Sequence, residues 1–196
     1  MAKVTTGTGD TGYTGLLGDQ RVPKYDPRPE TFGTVDEATS ALGLARATTS
    51  DPQVREVIYA IQQELYVLMG ELATPPEHYE KMGLRITAEH VRHLEQTEEV
   101  LKQGVEIPNK FIIPGDTPAG AALDLARTVI RRAERMAARL LHEGVIANGE
   151  VVRYLNRLSD LVFILARYVE VRSSLAHLPE EAPPFSAQGG ANAGKM

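Results

Sequence analysis

Between Asp51-Pro52 and Thr74-Pro75-Pro76, the apolar residues Val54, Ile58, Ile61, Leu65, Leu68 and Leu72 recur at intervals of three and four. That spacing puts all six on one stripe of an α-helix; a strand would send successive side chains to opposite faces. Asp51 offers a capping oxygen, Pro52 suits the first helical position, and the paired prolines stop the segment. A helix with one apolar stripe has to bury it against other elements, so this segment commits the chain to a packed helical core.

The rest of the sequence supplies partners for that stripe. Thr31 to about Thr48 carries Phe32, Val35, Leu42 and Leu44 among good helix formers, weakened by Gly33 and Gly43. Thr87 caps a helix to about Gln103, Asp116 or Thr117 caps one opened by Pro118 and running to about His142, and the last extends from Glu150 to about Leu175. Residues 74–86 read as a polar connector, and Ile107 to Gly115 as an apolar loop bracketed by prolines. No segment makes a convincing strand, so the expected fold is all-α: a five-helix bundle with a Gly-rich N-terminal arm. With 196 residues, 42% hydrophobic and 24% charged, one domain over 1–178 is expected, the arm being 1–29 and the bundle 30–178. The Pro, Gly and Ala of 179–196 predict a disordered tail.

Composition narrows the chemistry. A net charge of -5 removes the basic excess that attracts nucleic acid or anionic membrane. The absence of cysteine removes disulfides, thiolate metal sites and cysteine nucleophiles. Apolar runs fall far short of a membrane span and no hydrophobic signal core opens the chain, so the expected location is the cytoplasm.

Within the arm, Gly7-Thr8-Gly9-Asp10-Thr11-Gly12 spells the G-x-G-x-x-G string of dinucleotide-binding folds. That fingerprint has to follow a buried strand and open a helix. Here only a few residues precede it, and Gly15, Gly18, Pro23, Pro27 and Pro29 occupy the place of the helix. The string is either a flexible arm or a phosphate loop of another kind, and its partners have to come from elsewhere.

The strongest partner is the helix with Arg127, Arg131, Arg132, Glu134 and Arg135. At about 100° per residue, Arg127, Arg131, Glu134 and Arg135 share about one third of the circumference, opposite Val129, Ile130, Ala133, Met136, Ala137 and Leu140. Such a face is either solvated or an anion site, since guanidinium forks match phosphate oxygens. On the last helix Arg153, Asn156, Asp160 and Arg167 gather opposite Tyr154, Leu158, Leu161, Leu165 and Tyr168, a pattern suited to recognition as well as to solvation. Asp36 and Glu37 read first as acids favoured by the dipole of a helix start, and Phe111 first as a core anchor. Glu89, His90 and His93 do not complete a metal set and read as surface or capping residues.

Taken in order, Thr6 to Gly12, Arg21-Val22-Pro23-Lys24, Phe32 to Glu37 with Ser40 to Gly43, Phe111 to Gly115, Arg131 to Arg135, and Tyr154 to Asp160 resemble the PduO-type ATP:cob(I)alamin adenosyltransferase family, over roughly residues 3–172. The resemblance implies a homotrimer with active sites between subunits, ATP and reduced cobalamin as substrates, magnesium on the triphosphate, and a reductase as a further partner. Carried over by position, Thr6, Gly7, Thr8, Gly9, Thr14, Gly15 and Lys24 would wrap the nucleotide. Arg131, Arg132, Glu134, Arg135 and Asn156 would complete that site. Asp36 would pair with Arg127 to hold the catalytic arrangement, and Phe111 and Asp160 would meet the corrinoid, Phe111 on its lower face. The sequence departs from the family at Gly7, where many relatives carry a basic residue, and at Ala38-Thr39 in place of Leu-Asn.

Overall fold

A computed structural model describes residues 5–107, 109 and 111–176; the expected tail 179–196, and Pro108 and Lys110 of the apolar loop, lie outside the described residues. The chain is mostly helical. Its α-helices are α1 (Pro27–Thr48), α2 (Pro52–Leu72), α3 (Tyr79–Met82), α4 (Ala88–Lys102), α5 (Pro118–His142) and α6 (Glu150–Ala176). The five long ones coincide with the five expected segments. The sixth, α3, is a single turn that follows a 3₁₀ turn at Pro76–His78 in the connector, too short to leave a period in the sequence.

Two expectations for the arm are corrected. It contains an antiparallel ribbon, β1 (Tyr13–Gly15) and β2 (Arg21–Pro23), with Thr14 opposite Val22. Three-residue strands are too short to register as an alternating pattern. The arm also ends earlier than Pro29: Asp26 accepts from the Arg28 N–H at 3.0 Å, and Pro27 opens α1 four residues before Thr31. The caps at Asp51 and Thr117 follow their sequence signals, while at the start of α4 the His90 ring serves the Thr87 backbone. Asp51 accepts from Gln53 N–H at 2.9 Å, Thr117 Oγ1 from Gly120 N–H at 2.9 Å, and His90 Nδ1 from Thr87 N–H at 3.1 Å.

The stripe predicted on α2 is buried throughout, packed with Val35, Leu42, Val91, Leu94, Leu123, Ile130, Leu158 and Leu165 from the other long helices. Cross-links set the helix directions. Thr34 on α1 donates to Met136 on α5, and Glu37 pairs with Arg132, so these helices run antiparallel. Asn156 with Glu134 and Arg167 with Asp124 make α5 and α6 antiparallel as well. Tyr154, fully buried, donates to Glu64 on α2 at 2.8 Å; burial, then the adjacent carboxylate, pushes its phenol well up from the ordinary value.

One buried polar node fastens the connectors to this core. Glu71 on α2 accepts from Ile86 N–H at 2.6 Å and from Asn148 Nδ2 at 2.8 Å, and Asn148 also donates to the Ile86 carbonyl at 2.8 Å. The node thereby ties the connector and the α5–α6 turn to one end of α2. Asn148→Ala strips two buried acceptors of their donor and is expected to destabilise the fold by about 2 kcal/mol. A chemical denaturation curve checks this; an unchanged midpoint would show that the node holds nothing.

Candidate active site

The arm docks at that same end of the bundle. Leu17 N–H donates to the Ala73 carbonyl at 2.8 Å, while Leu16 and Val22 are buried against the molecule. From this anchor the loop of residues 6–12 projects as tight turns, Asp10 N–H bonding the Gly7 carbonyl and Gly12 N–H the Gly9 carbonyl. Gly7 has φ +72°, in the left-handed region where a side chain is strained. That gives glycine a backbone reason at a position where the resemblance leads one to expect a base. Lys24 lies across Gly9, its Nζ 3.1 Å from where a Cβ would sit, so a larger residue there would displace the ammonium. Arg21 stiffens the loop by donating to the carbonyls of Thr8 at 2.6 Å and Tyr13 at 3.2 Å. Thr6 and Thr8 share a hydroxyl hydrogen bond of 3.0 Å, and Thr14 and Gly15 sit on β1. The result is an exposed turn of N–H groups, hydroxyls and one ammonium, chemistry suited to an anion.

Helices α5 and α6 carry the second group. Arg131, Arg132 and Arg135 are exposed, and Val129, Ile130, Ala133, Ala137 and Leu140 lie on the buried side, as the periodicity predicts. Arg132 is engaged by Glu37, and Arg135 Nη1 folds back to the Arg131 carbonyl at 2.9 Å. Glu134 accepts from Asn156 Nδ2 at 2.9 Å, and the Asn156 oxygen accepts from Arg157 Nη1 at 2.9 Å. Arg157 Nε continues the chain to Glu95 on α4 at 3.0 Å. The orientation of the Asn156 amide is thus fixed from three helices, through two residues that the sequence pattern does not single out.

A third group lies along the same face. A cavity of about 280 Å³ is lined by Lys102, Ile107, Arg127, Asp160, Phe163 and Ile164. Phe163 is one turn beyond Asp160 on α6, which is the only hint of it in the sequence. Burial, helped by Glu98, raises the Asp160 carboxyl above its ordinary value, against the pull of Arg157 and Arg131. The fold therefore holds the Asp160 proton more tightly than the unfolded chain does, and this residue weakens the fold as pH rises through the carboxylate range. Ile107 leads into the apolar loop, whose Phe111 is 93% exposed and Ile113 79% exposed. The reading of Phe111 as a core anchor is overturned: its ring is presented outward.

One further expectation is corrected, and one expected pair does not form within a single chain. Arg167, grouped by periodicity with the polar face, is buried and paired with Asp124 at 2.5 Å, because α5 packs over that part of α6. Arg127 does not meet Asp36; its Nε lies 3.4 Å from Asp124 Oδ1. The register set by Thr34 with Met136 and Glu37 with Arg132 puts Asp36 and Arg127 about 9 Å apart along the paired helices. Asp36 itself is exposed. Likewise, among the described residues no hydrogen bond or ion pair joins the 6–24 segment to Arg131, Arg132 or Arg135, so the two halves of the nucleotide set stand apart in one chain. His90 is used in capping, and His93 Nδ1 contacts Glu64 at 2.7 Å.

The family described as cobalamin adenosyltransferase matches residues 4–169. The corrinoid adenosyltransferase of Citrobacter freundii is 39% identical over 171 residues, spanning 87% of this chain and 96% of that protein. The corrinoid adenosyltransferase of Bacillus subtilis is 39% identical over 183 residues, spanning 91% and 92%. A variant of the PduO-type ATP:corrinoid adenosyltransferase from Lactobacillus reuteri, complexed with cobalamin and ATP, superposes with a TM-score of 0.81 at 34% identity, covering 88% of this chain and 96% of that one.

Proposed function

The chain belongs to the cobalamin adenosyltransferase family, and from that premise we infer how its three groups of side chains divide the work. The protein transfers the 5′-deoxyadenosyl group of ATP to the cobalt of reduced cobalamin and releases triphosphate. The observation that carries the assignment of parts is the continuous face on α5 and α6, where an arginine cluster with its Glu134–Asn156 bond adjoins a cavity edged by Arg127 and Asp160.

In its lowest oxidation state cobalt is the nucleophile, so no serine, cysteine or histidine has to attack. Cobalt bonds to the 5′ carbon as the bond from that carbon to the triphosphate oxygen breaks. The protein's tasks are to place the two reactants and to stabilise the charge on the departing triphosphate. Arg131, Arg132 and Arg135 serve the phosphates, with Asn156 and Glu134 beside them. The arm supplies Thr6, Gly7, Thr8, Gly9, Thr14, Gly15 and Lys24 around the same nucleotide. Magnesium fits this set: Glu134 uses Oε1 toward Asn156 and keeps a second carboxylate oxygen, and one carboxylate with substrate phosphates is an ordinary way to hold that ion. Bound there, it would neutralise phosphate charge.

The separation of the arm from the arginine face, and of Asp36 from Arg127, supports a site completed between subunits, with a homotrimer as the assembly. The arm and Asp36 of one copy would then meet Arg131, Arg135 and Arg127 of the next. Phe111 and Asp160 face the corrinoid, and a reductase would supply the reduced cobalt. No helix among the described residues is long and apolar enough to cross a membrane; a cytoplasmic place for the reaction is part of the same reading.

Mixing the protein with ATP and chemically reduced cobalamin under anaerobic conditions is expected to produce the adenosylcobalamin spectrum and stoichiometric triphosphate. A trace no faster than the protein-free control would overturn the assignment, and tight binding of both ligands without triphosphate release would mark a carrier instead.

A further inference from the structure

Arg127 is held by a buried arrangement that the transfer chemistry has not yet used. One turn earlier on α5, Asp124 is 3% exposed, and its two oxygens serve two guanidiniums. Oδ2 takes Arg167 Nη2 from α6 at 2.5 Å, and Oδ1 faces Arg127 Nε at 3.4 Å. Arg167, 4% exposed, is fixed further by Glu170 at 2.8 Å. Both guanidiniums lie over the Phe163 ring, Arg127 at 5.8 Å and Arg167 at 5.3 Å from its centroid. Phe163 and Arg127 both line the cavity beside the apolar loop.

The consequence for Arg127 follows from the shape of its side chain. A free arginine samples many rotamers, and its planar fork can offer Nε on one edge and the terminal nitrogens on the other. Asp124 occupies the Nε edge and Phe163 one face. Among the described residues the terminal nitrogens of Arg127 have no hydrogen-bond or ion-pair partner. They remain unpartnered on a side chain that lines the cavity.

We propose that Asp124 is a positioning residue for the transfer reaction: braced by buried Arg167, it fixes the Arg127 guanidinium so that its terminal nitrogens face the corrinoid cavity. The proposal rests on the assignment of Arg127 to the catalytic arrangement. A purely structural alternative would have Asp124 serve only as the counter-ion of Arg167, since removing one member of a buried pair is costly whatever Arg127 does.

A double-mutant cycle separates these readings. Turnover with preformed cob(I)alamin and the KM for ATP are measured for wild type, Asp124→Asn, Arg127→Ala and the double variant, with a melting curve for each. Asp124→Asn keeps the shape and is expected to lower kcat by about tenfold or more, as misplacement of a catalytic group does, with little change in KM. In the Arg127→Ala background the same change is expected to alter kcat by less than about twofold. Equal fold losses in both backgrounds, or no loss in the wild-type background, would overturn the proposal while leaving the role of Arg127 standing. If Arg127→Ala alone leaves turnover intact, the assignment of Arg127 falls and the proposal with it. Should Asp124→Asn fail to fold, Asp124→Asn/Arg167→Met removes both members of the buried pair, and the same comparison across the two Arg127 backgrounds decides.

Discussion

Phe111→Ala is expected to slow adenosylcobalamin formation from cob(II)alamin by about 100-fold, equivalent to roughly 2.7 kcal/mol of barrier. The same variant supplied with preformed cob(I)alamin should lose less than about tenfold, since the chemical step itself does not need the ring. An aromatic ring at 93% exposure gains nothing for the fold and has every reason to be covered by a partner. Cob(II)alamin is hard to reduce while a lower axial ligand stays attached. An apolar ring pressed on that face expels the ligand and excludes water, which raises the potential at which the metal accepts an electron. Ile107, at the start of the loop that carries Phe111, lines the cavity with Phe163 and Arg127. Because Phe111 makes no core contact, the melting temperature should stay unchanged. Anaerobic stopped-flow spectra from the two oxidation states give the comparison; equal losses from both would remove the proposed role in reduction and leave Phe111 a simple binding residue.

The sequence was informative where a single helix carries its own pattern. The stripe Val54 to Leu72, the caps at Asp51 and Thr117, and the split of α5 into arginine and apolar faces are local properties, and local physics decides them. It was silent where the deciding contact is tertiary. Arg167 has the same periodicity as the exposed Asp160, and only the packing of α5 against α6, with Asp124 at the crossing, converts it into a buried ion pair. Phe111 shows the reverse error: hydrophobicity argues for the core, whereas the loop carries it outward. Gly7 gained a reason that no spacing rule contains, a left-handed backbone. Glu95 and Arg157, which steady Asn156, come from α4 and α6 and share no local motif. The expected nucleotide set and its completion between subunits rest on resemblance; local periodicity alone says only that α5 has an arginine face.

Arg131→Ala is expected to reduce kcat/KM for ATP by about 1,000-fold, or roughly 4 kcal/mol of transition-state stabilisation, on the scale of removing a preorganised donor from a developing charge. The three exposed arginines of α5 are not equivalent. Arg132 is engaged by Glu37 and has to leave or share that carboxylate to serve a phosphate. Arg135 spends one nitrogen on the Arg131 carbonyl. The Arg131 side chain has no hydrogen-bond or ion-pair partner among the described residues; it feels the Asp160 carboxylate, and Arg127 and Arg135 flank it one turn away on the same helix, so its fork is free for a triphosphate. Arg132→Ala should therefore cost less, about tenfold in the same measurement, part of its attraction being already spent on Glu37. Arg131→Lys keeps the charge and loses the fork, so it should fall between wild type and Arg131→Ala, with its deficit mainly in kcat if two-point contact forms as the triphosphate departs. Neither alanine variant should lower the melting temperature of the ligand-free protein by more than about 2 °C, because each removes an exposed cation and opens no core cavity. Steady-state kinetics with melting curves test the ranking: equal losses at Arg131 and Arg132 would show that the Glu37 pair does not restrain Arg132, and a preserved kcat/KM in Arg131→Ala would take the leading phosphate contact away from α5.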